Sequence, residues 1–235
     1  MQLFYNPDLD KDTTQITFDK VESRHIVKVL RKKEGDKIYI TNGKGTLFIS
    51  QINIANDKKC LASIFNTDDK KKSRDYNLHI AIAPTKNNDR LEWFLEKATE
   101  IGIDEITPII CDNSERKVIK SERLEKILIV AMKQSLQYHL PKLNESISFA
   151  EFISKKQESV KLIAHCEETE KQSLKATLKP KQDVLILIGP EGDFSSKEIE
   201  LANQFGFTPI TLGENRLRTE TAALVAAQNV AFLNQ

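Results

Sequence analysis

The sequence predicts an α/β domain with a parallel sheet, preceded by a smaller domain rich in β-strands. Residues 1–65 contain stretches that alternate apolar and polar positions, a pattern typical of strands with one buried face. From residue 78 onward, continuous apolar runs alternate with amphipathic segments, as expected for buried parallel strands and their crossover helices. We therefore expect two domains, residues 1–72 and residues 73–235.

The N-terminal part contains a predicted β-hairpin. The stretch DKIYITNGKGTLFISQI, residues 36–52, alternates on both sides of the turn sequence NGKG. The stretch CLASIF, residues 60–65, predicts a further strand. Residues 66–77 are polar and lack apolar periodicity, which indicates a linker.

The second domain contains five predicted strands, each a short apolar run. Runs of this length without alternation are typical of strands that are buried on both faces. In chain order they are LHIAIAP at 78–84, EITPII at 105–110, KLIAHC at 161–166, VLILIG at 184–189 and TPITL at 208–212.

Four amphipathic segments predict the helices of this domain. Two begin at a capping box, in which two side chains three residues apart satisfy free backbone N–H groups. Glycine ends one helix and proline another. The predicted helices run from Asp89 with Glu92 to Gly102, over residues 122–140 before Pro141, from Ser195 with Glu198, and over residues 220–233.

Composition indicates a globular chain with a substantial core and no strong overall charge. Hydrophobic residues make up 40% and charged residues 29%, with a net charge of +1. Residues 1–72 contain fourteen basic and ten acidic residues, a net charge of +4, so the remainder carries −3. A mildly basic N-terminal part indicates a module that faces a polyanion.

Several classes of protein are not expected. Cys60, Cys111 and Cys166 form neither a metal-spaced pair nor a disulfide framework, and we expect buried free thiols in a reducing compartment. The four histidines lack metal-ligand spacing, so no metal site is expected. No signal-peptide pattern occurs, and no apolar run approaches the ~20 residues of a membrane span, so we expect a cytoplasmic protein.

Two glycine-marked turns, IGPEGDF and LGENRLRTETA, follow the last two predicted strands. Ligands of open α/β sheets bind beyond the carboxyl ends of the strands, where both turns are expected to lie. Gly189, Gly192 and Gly213 allow the backbone to approach a ligand closely. Neither turn has the glycine pattern of a dinucleotide site or a P-loop, so we expect a ligand that is not held by its phosphates.

These turns carry a resemblance to a known family. The segment GPEGDFSSKEIELANQFGFTPITLGENRLRTETAAL, residues 189–224, resembles the C-terminal signature of the RsmE family, SPOUT-class methyltransferases that act on N3 of one uridine in 16S ribosomal RNA. RHIVKVLRKKEGDKI at 24–38 is similar to the N-terminal barrel segment of that family. KATEIGIDEITPI at 97–109 and SERK at 114–117 are similar to its central segment.

The resemblance implies a fold and a cofactor. Residues 73–235 would form a SPOUT domain with a parallel sheet and a deep trefoil knot, which general topology rules would have excluded. Residues 1–72 would form a PUA-like RNA-binding β-barrel, and the protein would be a homodimer. Backbone groups would cradle S-adenosylmethionine. By position, the cradle comprises Ile188, Gly189, Pro190 and Gly192, then Leu212, Gly213, Leu217, Thr219 and Ala222.

The chain departs from the family pattern in two places. Asp193 stands where the family often has glycine, and it could face the sulfonium of the cofactor or cap the following helix. The family pattern EQSxR on the long helix is KQSLQ here, so Lys133 and Gln137 do not match. Lys142 is a candidate to compensate for the missing arginine.

Three side chains are candidates for the chemistry. A uridine ring nitrogen is poorly nucleophilic while protonated, so a base or a cation that stabilises the developing anion is expected. Arg218 is the cation candidate, and Glu191 and Glu220 are the carboxylate candidates. The alternatives are an ion pair for Arg218, a turn residue for Glu191 and a residue of the first helical turn for Glu220. Which carboxylate is the base, if either is, stays open.

Basic residues predict the RNA-binding surface. In RHIVKVLRKK, the positions of Arg24, Lys28 and Arg31 recur at helical spacing, with apolar Val27 and Leu30 behind them. The remaining candidates are His25, Lys32 and Lys33 beside them, and Lys86, Arg116 and Lys117, which match basic positions of the family. The alternative is a solvated helix face.

Two other functions remain open. A sibling methyltransferase could act on tRNA or on a ribose hydroxyl, but its sequence is expected to differ at LRTETA. A catalytically silent RNA-binding assembly factor for the ribosome would keep the basic N-terminal part and lose the cofactor glycines or Arg218, which are present here.

Overall fold

The computed structural model describes residues 1–72, 74–155 and 159–235. They form two compact units. Within the described ranges, the first unit contains residues 1–72 together with 132–140, and the second contains the remaining residues. The predicted domain boundary at residue 73 lies outside the described residues. Nothing in the sequence pattern predicted that residues 132–140 belong to the first unit.

A five-stranded sheet forms the first unit, in the order β1-β3-β4-β5-β2. Its strands are β1 Leu3–Tyr5, β2 Gln15–Thr17, β3 Lys37–Thr41, β4 Thr46–Ile54 and β5 Leu61–Asp69. Strands β1 and β3 are parallel, and the other pairs are antiparallel. The predicted hairpin is confirmed, because β3 pairs with β4 from Lys37 opposite Gln51 to Thr41 opposite Leu47. Its inward side chains enter a core that includes Phe48.

The predicted linker begins too early. Strand β5 continues through polar residues to Asp69, which lies opposite Thr46 of β4. Backbone hydrogen bonds with a neighbouring strand hold these residues in the sheet, although their side chains are exposed and have no apolar periodicity. Tyr76, near the other end of the predicted linker, is buried.

The basic helix is shorter and less regular than its spacing predicts. Helix α1, Lys20–Arg24, begins at the Asp19 cap and continues as a π-helical turn, His25–Val29. Arg31 then adopts a left-handed conformation with φ 55°, so it does not lie on one helical face with Arg24. Ile26 is fully buried and anchors this segment in the core of the unit.

An eight-stranded parallel sheet dominates the second unit and confirms the predicted α/β fold class. Its path is β11-β13-β10-β12-β6-β7-β8, and β9 also pairs with β7. The strands are β6 Leu78–Ile82, β7 Glu105–Ile110, β8 Lys142–Leu143, β9 Ile147–Ser148, β10 Val160–Ala164, β11 Gln172–Ser173, β12 Val184–Ile188 and β13 Thr208–Thr211. All five predicted strands occur; β8, β9 and β11 were not predicted.

Six further helices complete the described chain. They are α2 Asn88–Ile101, α3 Ser121–Gln134, α4 Phe149–Ser154, α5 Leu174–Thr177, α6 Ser196–Gln204 and α7 Thr219–Leu233. The Ser195–Glu198 capping box of α6 and the Gly102 end of α2 are confirmed. The Asp89 start is wrong, because the side chain of Asn87 caps α2 by accepting the Asp89 N–H.

The long central helix also ends earlier than predicted. Helix α3 stops at Gln134, and Leu136 has a left-handed φ of 55°. The chain then pairs with the hairpin turn of its own unit: Gly45 N–H donates to the Tyr138 carbonyl at 2.9 Å, and Leu140 N–H donates to the Gly43 carbonyl at 2.9 Å. These backbone hydrogen bonds stop the helix at Gln134, six residues before its predicted end at residue 140.

Candidate active site

A cleft opens at the carboxyl ends of three adjacent strands, β13, β10 and β12. It consists of two cavities, a larger one of about 380 Å³ and a smaller one of about 280 Å³. The two share the walls Ala164, Cys166, Arg216, Leu217 and Ala222. Because β10 lies between the strands that precede the two glycine turns, both turns reach the same cleft.

Most of the predicted cofactor residues line this cleft. Leu212 and Gly213 line the larger cavity, and Leu217 and Ala222 line both; the smaller cavity is lined by Ile188, Gly189, Pro190 and Thr219.

Gly192 lines neither cavity. A Cβ atom there would lie 3.1 Å from the Cβ of Asn113, and the Gly192 carbonyl accepts a hydrogen bond from the Asn113 side chain. This glycine therefore allows close packing of two loops.

Gly213 is the glycine whose conformation the cleft requires. Its φ is 130°, a left-handed value that residues with a Cβ rarely adopt. A Cβ built there would meet nothing within 4 Å, so it would project into open space at the cavity wall. The Thr211 hydroxyl closes the turn by donating to the Gly213 carbonyl at 2.9 Å.

The two glycine turns are tied to each other directly. The buried Thr219 hydroxyl, in the first turn of α7, donates to the Gly189 carbonyl after β12 at 3.0 Å. This hydrogen bond explains why the two turns occur as a pair. Each turn forms one wall of the cleft, and the Thr219 hydrogen bond holds the two walls together.

Of the three catalytic candidates, Arg218 and Glu191 line the smaller cavity. Arg218 occupies the N-cap position of α7 and is exposed. Its guanidinium makes no hydrogen bond or ion pair with any residue that the structure describes, so it is available to a ligand. The Glu191 carboxylate accepts the Lys86 backbone N–H at 3.0 Å and thereby ties the loop after β12 to the loop after β6.

Glu220 lies apart from both cavities. It is only 7% exposed, and its Oε1 lies 3.7 Å from the Nε of Arg90 on α2. Its Oε2 is buried without a hydrogen-bond partner in the described part of the chain. Glu220 thus forms an ion pair between two packed helices, and the sequence did not indicate Arg90 as its partner.

The loop after β10 supplies a third wall that sequence reasoning missed. His165, Cys166 and Lys171 line the larger cavity. Burial lowers the pKa of His165, and the nearby Lys171 charge lowers it further, so the imidazole is neutral at neutral pH. The sequence did contain a signal for this wall, because KLIAHC was predicted to be a strand of the parallel sheet. The residues at the carboxyl end of such a strand lie where ligands bind.

Asp193 does not cap the following helix, but it lines the smaller cavity, and its expected position facing the sulfonium of a cofactor stays a prediction. Its φ is 63°, a value that glycine adopts easily. Its carboxylate accepts the Cys166 N–H at 2.7 Å and the Phe194 N–H at 2.9 Å, and Ser195 caps the following helix instead. Asp193 therefore links the loop after β12 to the loop after β10.

The cysteines differ in exposure. Cys60 and Cys111 are buried, and burial raises the pKa of both thiols. Cys166 is exposed at the wall of the cleft, so the expectation of three buried thiols is wrong. Among the described residues, no group of three His, Cys, Asp or Glu side chains could hold a metal ion, and no helix is long and apolar enough to cross a membrane.

Two of the predicted basic residues of the second unit, Lys86 and Arg116, lie together in contact with the loop after β6, where the Lys86 N–H donates to Glu191 of the smaller cavity. Arg116 donates to the carbonyls of Thr85, at 3.3 Å, and Lys86, at 2.8 Å, while the Lys86 ammonium lies 2.8 Å from Glu115. Lys117 follows and is exposed.

In the first unit, the predicted RNA-binding side chains lie along α1 and the turn that follows. Arg24, Lys28, Arg31 and Lys33 are exposed, and His25 and Lys32 are half-buried. Lys28 lies 3.8 Å from Asp57, an exposed pair that leaves its charge accessible to solvent.

The departures on the long helix have structural explanations. The Lys133 ammonium pairs with Glu22 at 2.8 Å and lies over the Phe4 ring, within the first unit. Gln137 donates to the Ser135 hydroxyl. Lys142 does not compensate for the missing arginine at the cleft, because it pairs with Glu105 at the opposite, amino-terminal ends of the strands.

Comparisons with known proteins agree with this geometry. A family model described as an RNA methyltransferase domain matches residues 71–231, and one described as an RNA methyltransferase PUA domain matches residues 18–65. Ribosomal RNA small subunit methyltransferase E of Rickettsia conorii is 34% identical and covers 89% of this chain and 86% of its own length.

Two solved structures extend the comparison. A probable rRNA-methyltransferase of Porphyromonas gingivalis is 43% identical with a TM-score of 0.93, covering 100% of this chain and 98% of its own. A ribosomal RNA small subunit methyltransferase E of Neisseria gonorrhoeae, bound to S-adenosyl methionine, is 27% identical with a TM-score of 0.87, covering 100% and 98%. Since these matches span almost the whole chain, the protein belongs to the ribosomal RNA small subunit methyltransferase E family, RsmE, which confirms the resemblance carried by its two glycine turns.

Proposed function

We propose that this protein transfers a methyl group from S-adenosylmethionine to N3 of one uridine in 16S ribosomal RNA of the small subunit. Family membership supports the reaction class, ribosomal RNA methylation. The observation that carries the assignment is the cleft that both glycine turns enclose, with the Arg218 guanidinium at its wall and without a partner among the described residues.

The cleft fits the cofactor in three respects. The open space at Gly213 admits a ligand against the backbone. Leu217 and Ala222 provide an apolar wall suited to a purine ring. The carboxylates of Glu191 and Asp193 line the smaller cavity, where they favour a positively charged group. When bound, S-adenosylmethionine supplies a methyl group on a positively charged sulfur.

The residues of the cleft position the reactants. Thr219 and Asp193 tie the three loops that form its walls, so the cavity shape is set before a ligand enters. Holding two reactants in line can contribute about 7–11 kcal/mol to lowering a barrier. The main role of the cleft walls is therefore alignment.

Arg218 stabilises the negative charge that develops on the uracil ring as the N3 proton leaves. A guanidinium is always charged and presents a planar fork that matches a ring edge with adjacent oxygen and nitrogen atoms. The base is Glu191 or solvent, because Glu191 lines the same cavity as Arg218 whereas Glu220 is paired with Arg90 away from it.

The reaction is tested with methylation-deficient small subunits. We expect one methyl group at N3 of one uridine after incubation with the protein and S-adenosylmethionine, detected by mass spectrometry of 16S RNA fragments. Methylation of tRNA or of a ribose hydroxyl instead would show that the assigned substrate is wrong and that the protein is a sibling methyltransferase. Subunit binding without any methyl transfer would indicate a silent assembly factor.

The first unit supplies much of the RNA affinity in this proposal. Its match to a PUA domain and its exposed basic residues along α1 support a role at the phosphate backbone. Complete or partly assembled small subunits should be better substrates than naked RNA, because they offer a shaped surface.

Reversing the charge of Lys28 and Arg31 to glutamate should weaken binding to small subunits. Each lost phosphate contact lowers the slope of log affinity against log salt by about 0.7–0.9, so the double variant should lose ~1–2 from that slope. Binding is measured at several salt concentrations. The matched control for net charge is a double variant in which Lys175 and Lys179, two exposed residues of the second unit, are both changed to glutamate. Equal affinities and slopes for wild type and the Lys28/Arg31 variant would contradict the proposal.

Three further features belong to the same proposal. The protein is a homodimer, which its family membership and the exposed apolar side chains Trp93, Val130 and Phe232 support. The last strands thread a deep trefoil knot, which the family resemblance supports. The protein acts in the cytoplasm, where its ribosomal substrate is located.

A further inference from the structure

His165 is a buried side chain to which the proposed mechanism gives no role. It is only 7% exposed and lines the larger cavity of the cleft. Both ring nitrogens are buried and have no hydrogen-bond partner among the residues that the structure describes. Buried polar atoms are normally paired, because an unpaired one loses its hydrogen bonds to water without replacement. A ligand in the larger cavity can supply the missing partner.

The chemistry of the imidazole limits what it can bind. Its charged neighbours are Lys171, Asp193 and Glu167, and burial together with Lys171 lowers the pKa of the ring. A neutral imidazole has one N–H donor and one nitrogen acceptor. It therefore suits an uncharged group that offers both functions, such as a ribose hydroxyl or the edge of a purine.

The larger cavity suits the adenosyl half of the cofactor. Arg218, Glu191 and Asp193 line only the smaller cavity, so the sulfonium and the reacting uracil belong there. Ile210, Leu212 and His165 line only the larger cavity, where apolar side chains suit the faces of a purine.

Asp193 holds the loop that carries His165. Its carboxylate accepts the N–H of Cys166, the next residue, at 2.7 Å. Without this hydrogen bond, the loop after β10 would lose its tie to Asp193 and keep the hydrogen bond that the Ser196 hydroxyl, at the start of α6, donates to the Glu167 carboxylate.

We propose that His165 is a further cofactor-binding residue, which hydrogen-bonds the adenosyl half of S-adenosylmethionine, and that Asp193 is its positioning residue. The inference rests on the proposed function, because it takes the cofactor as S-adenosylmethionine.

The test measures binding by calorimetry with the full chain. Two probes are used: S-adenosylhomocysteine, and 5′-methylthioadenosine, which lacks the amino-acid half. His165→Phe should bind both probes about tenfold more weakly, as expected for one lost hydrogen bond in a buried site. The matched control is His79→Phe, a substitution at the other ends of the strands, which should leave both affinities unchanged.

The outcomes separate the two proposals. Unchanged affinity of His165→Phe for both probes overturns the inference, and so does a loss confined to S-adenosylhomocysteine, because the contact would then lie on the amino-acid half. If the wild-type protein binds neither probe, the proposed function fails first. If His165→Phe does not fold, NMR of the wild-type protein replaces the variant. The ring nitrogen resonances of His165 are then expected to shift on addition of either probe. An absence of any shift overturns the inference.

The positioning role has its own readout. Asp193→Gly tolerates the left-handed backbone but removes both carboxylate hydrogen bonds, so it should weaken binding of both probes. Asp193→Asn keeps one acceptor oxygen in place of two, so it can accept the Cys166 N–H but not the Phe194 N–H as well, and it should restore binding in part. In the His165→Phe background, Asp193→Gly should lower the affinity for both probes by a smaller factor than in the wild type, because the two residues act through one contact. Fully additive effects would show that Asp193 acts independently of His165.

Discussion

Replacing Arg218 with alanine is expected to lower the rate of methyl transfer by about 10²–10³, with cofactor affinity and Tm nearly unchanged. The guanidinium lines the smaller cavity and has no partner among the described residues, so its loss removes a preorganised cation without breaking an internal contact. The measurement is single-turnover methyl transfer to methylation-deficient small subunits at saturating cofactor. Near-wild-type turnover by folded, cofactor-binding Arg218→Ala would leave Arg218 without a catalytic role.

Two variants refine this prediction. Arg218→Lys keeps the charge but loses the planar fork, and it should restore activity only in part. Lys179→Ala also removes one positive charge, but Lys179 is exposed and lines neither cavity, so this control should stay fully active.

The pH dependence of the rate distinguishes the two candidate bases. If Glu191 is the base, Glu191→Gln loses the acidic limb of the rate profile. If solvent accepts the proton, Glu191→Gln stays active and the rate continues to rise toward alkaline pH.

Gly213→Val is expected to abolish measurable binding of S-adenosylmethionine. The branched side chain would occupy the open space at the cavity wall, and a φ of 130° would strain any residue with a Cβ. Calorimetry measures the loss directly. A second readout is alkylation of Cys166, the exposed cysteine, which the cofactor should slow in the wild type and not in the variant.

A second glycine provides a control that distinguishes the effect of backbone strain from the loss of cofactor contacts in Gly213→Val. Gly35, in the first unit, also has a left-handed φ, of 89°, and a Cβ there would meet only the Gln51 side chain at 3.9 Å. Gly35→Val should lower Tm through similar strain and leave cofactor binding intact. Cofactor binding by folded Gly213→Val with wild-type affinity would show that this turn does not contact the cofactor.

The sequence pattern alone predicted the five main strands of the parallel sheet and the two glycine turns, but not α4, α5, β8, β9 or β11. The candidate cofactor residues of the cleft came from the family resemblance. Apolar runs predicted all five main strands of the parallel sheet, because burial on both faces leaves an unbroken apolar signature. Glycines marked the two turns, since only glycine tolerates the backbone of Gly213. Helix ends were predicted less well: α3 stops at Gln134 because its continuation pairs with the hairpin turn of the first unit, a partner almost a hundred residues away.

Only the tertiary structure decided which residues complete the site. The strand order places β10 between β12 and β13, so the loop with His165 and Cys166 enters the cleft between two turns that follow it in the sequence. Strand order depends on packing of the whole sheet and leaves no local periodicity. The same holds for the hydrogen bond from Cys166 to Asp193 and for the pairing of Glu220 with Arg90: each depends on distances between elements, which no pattern along the chain records.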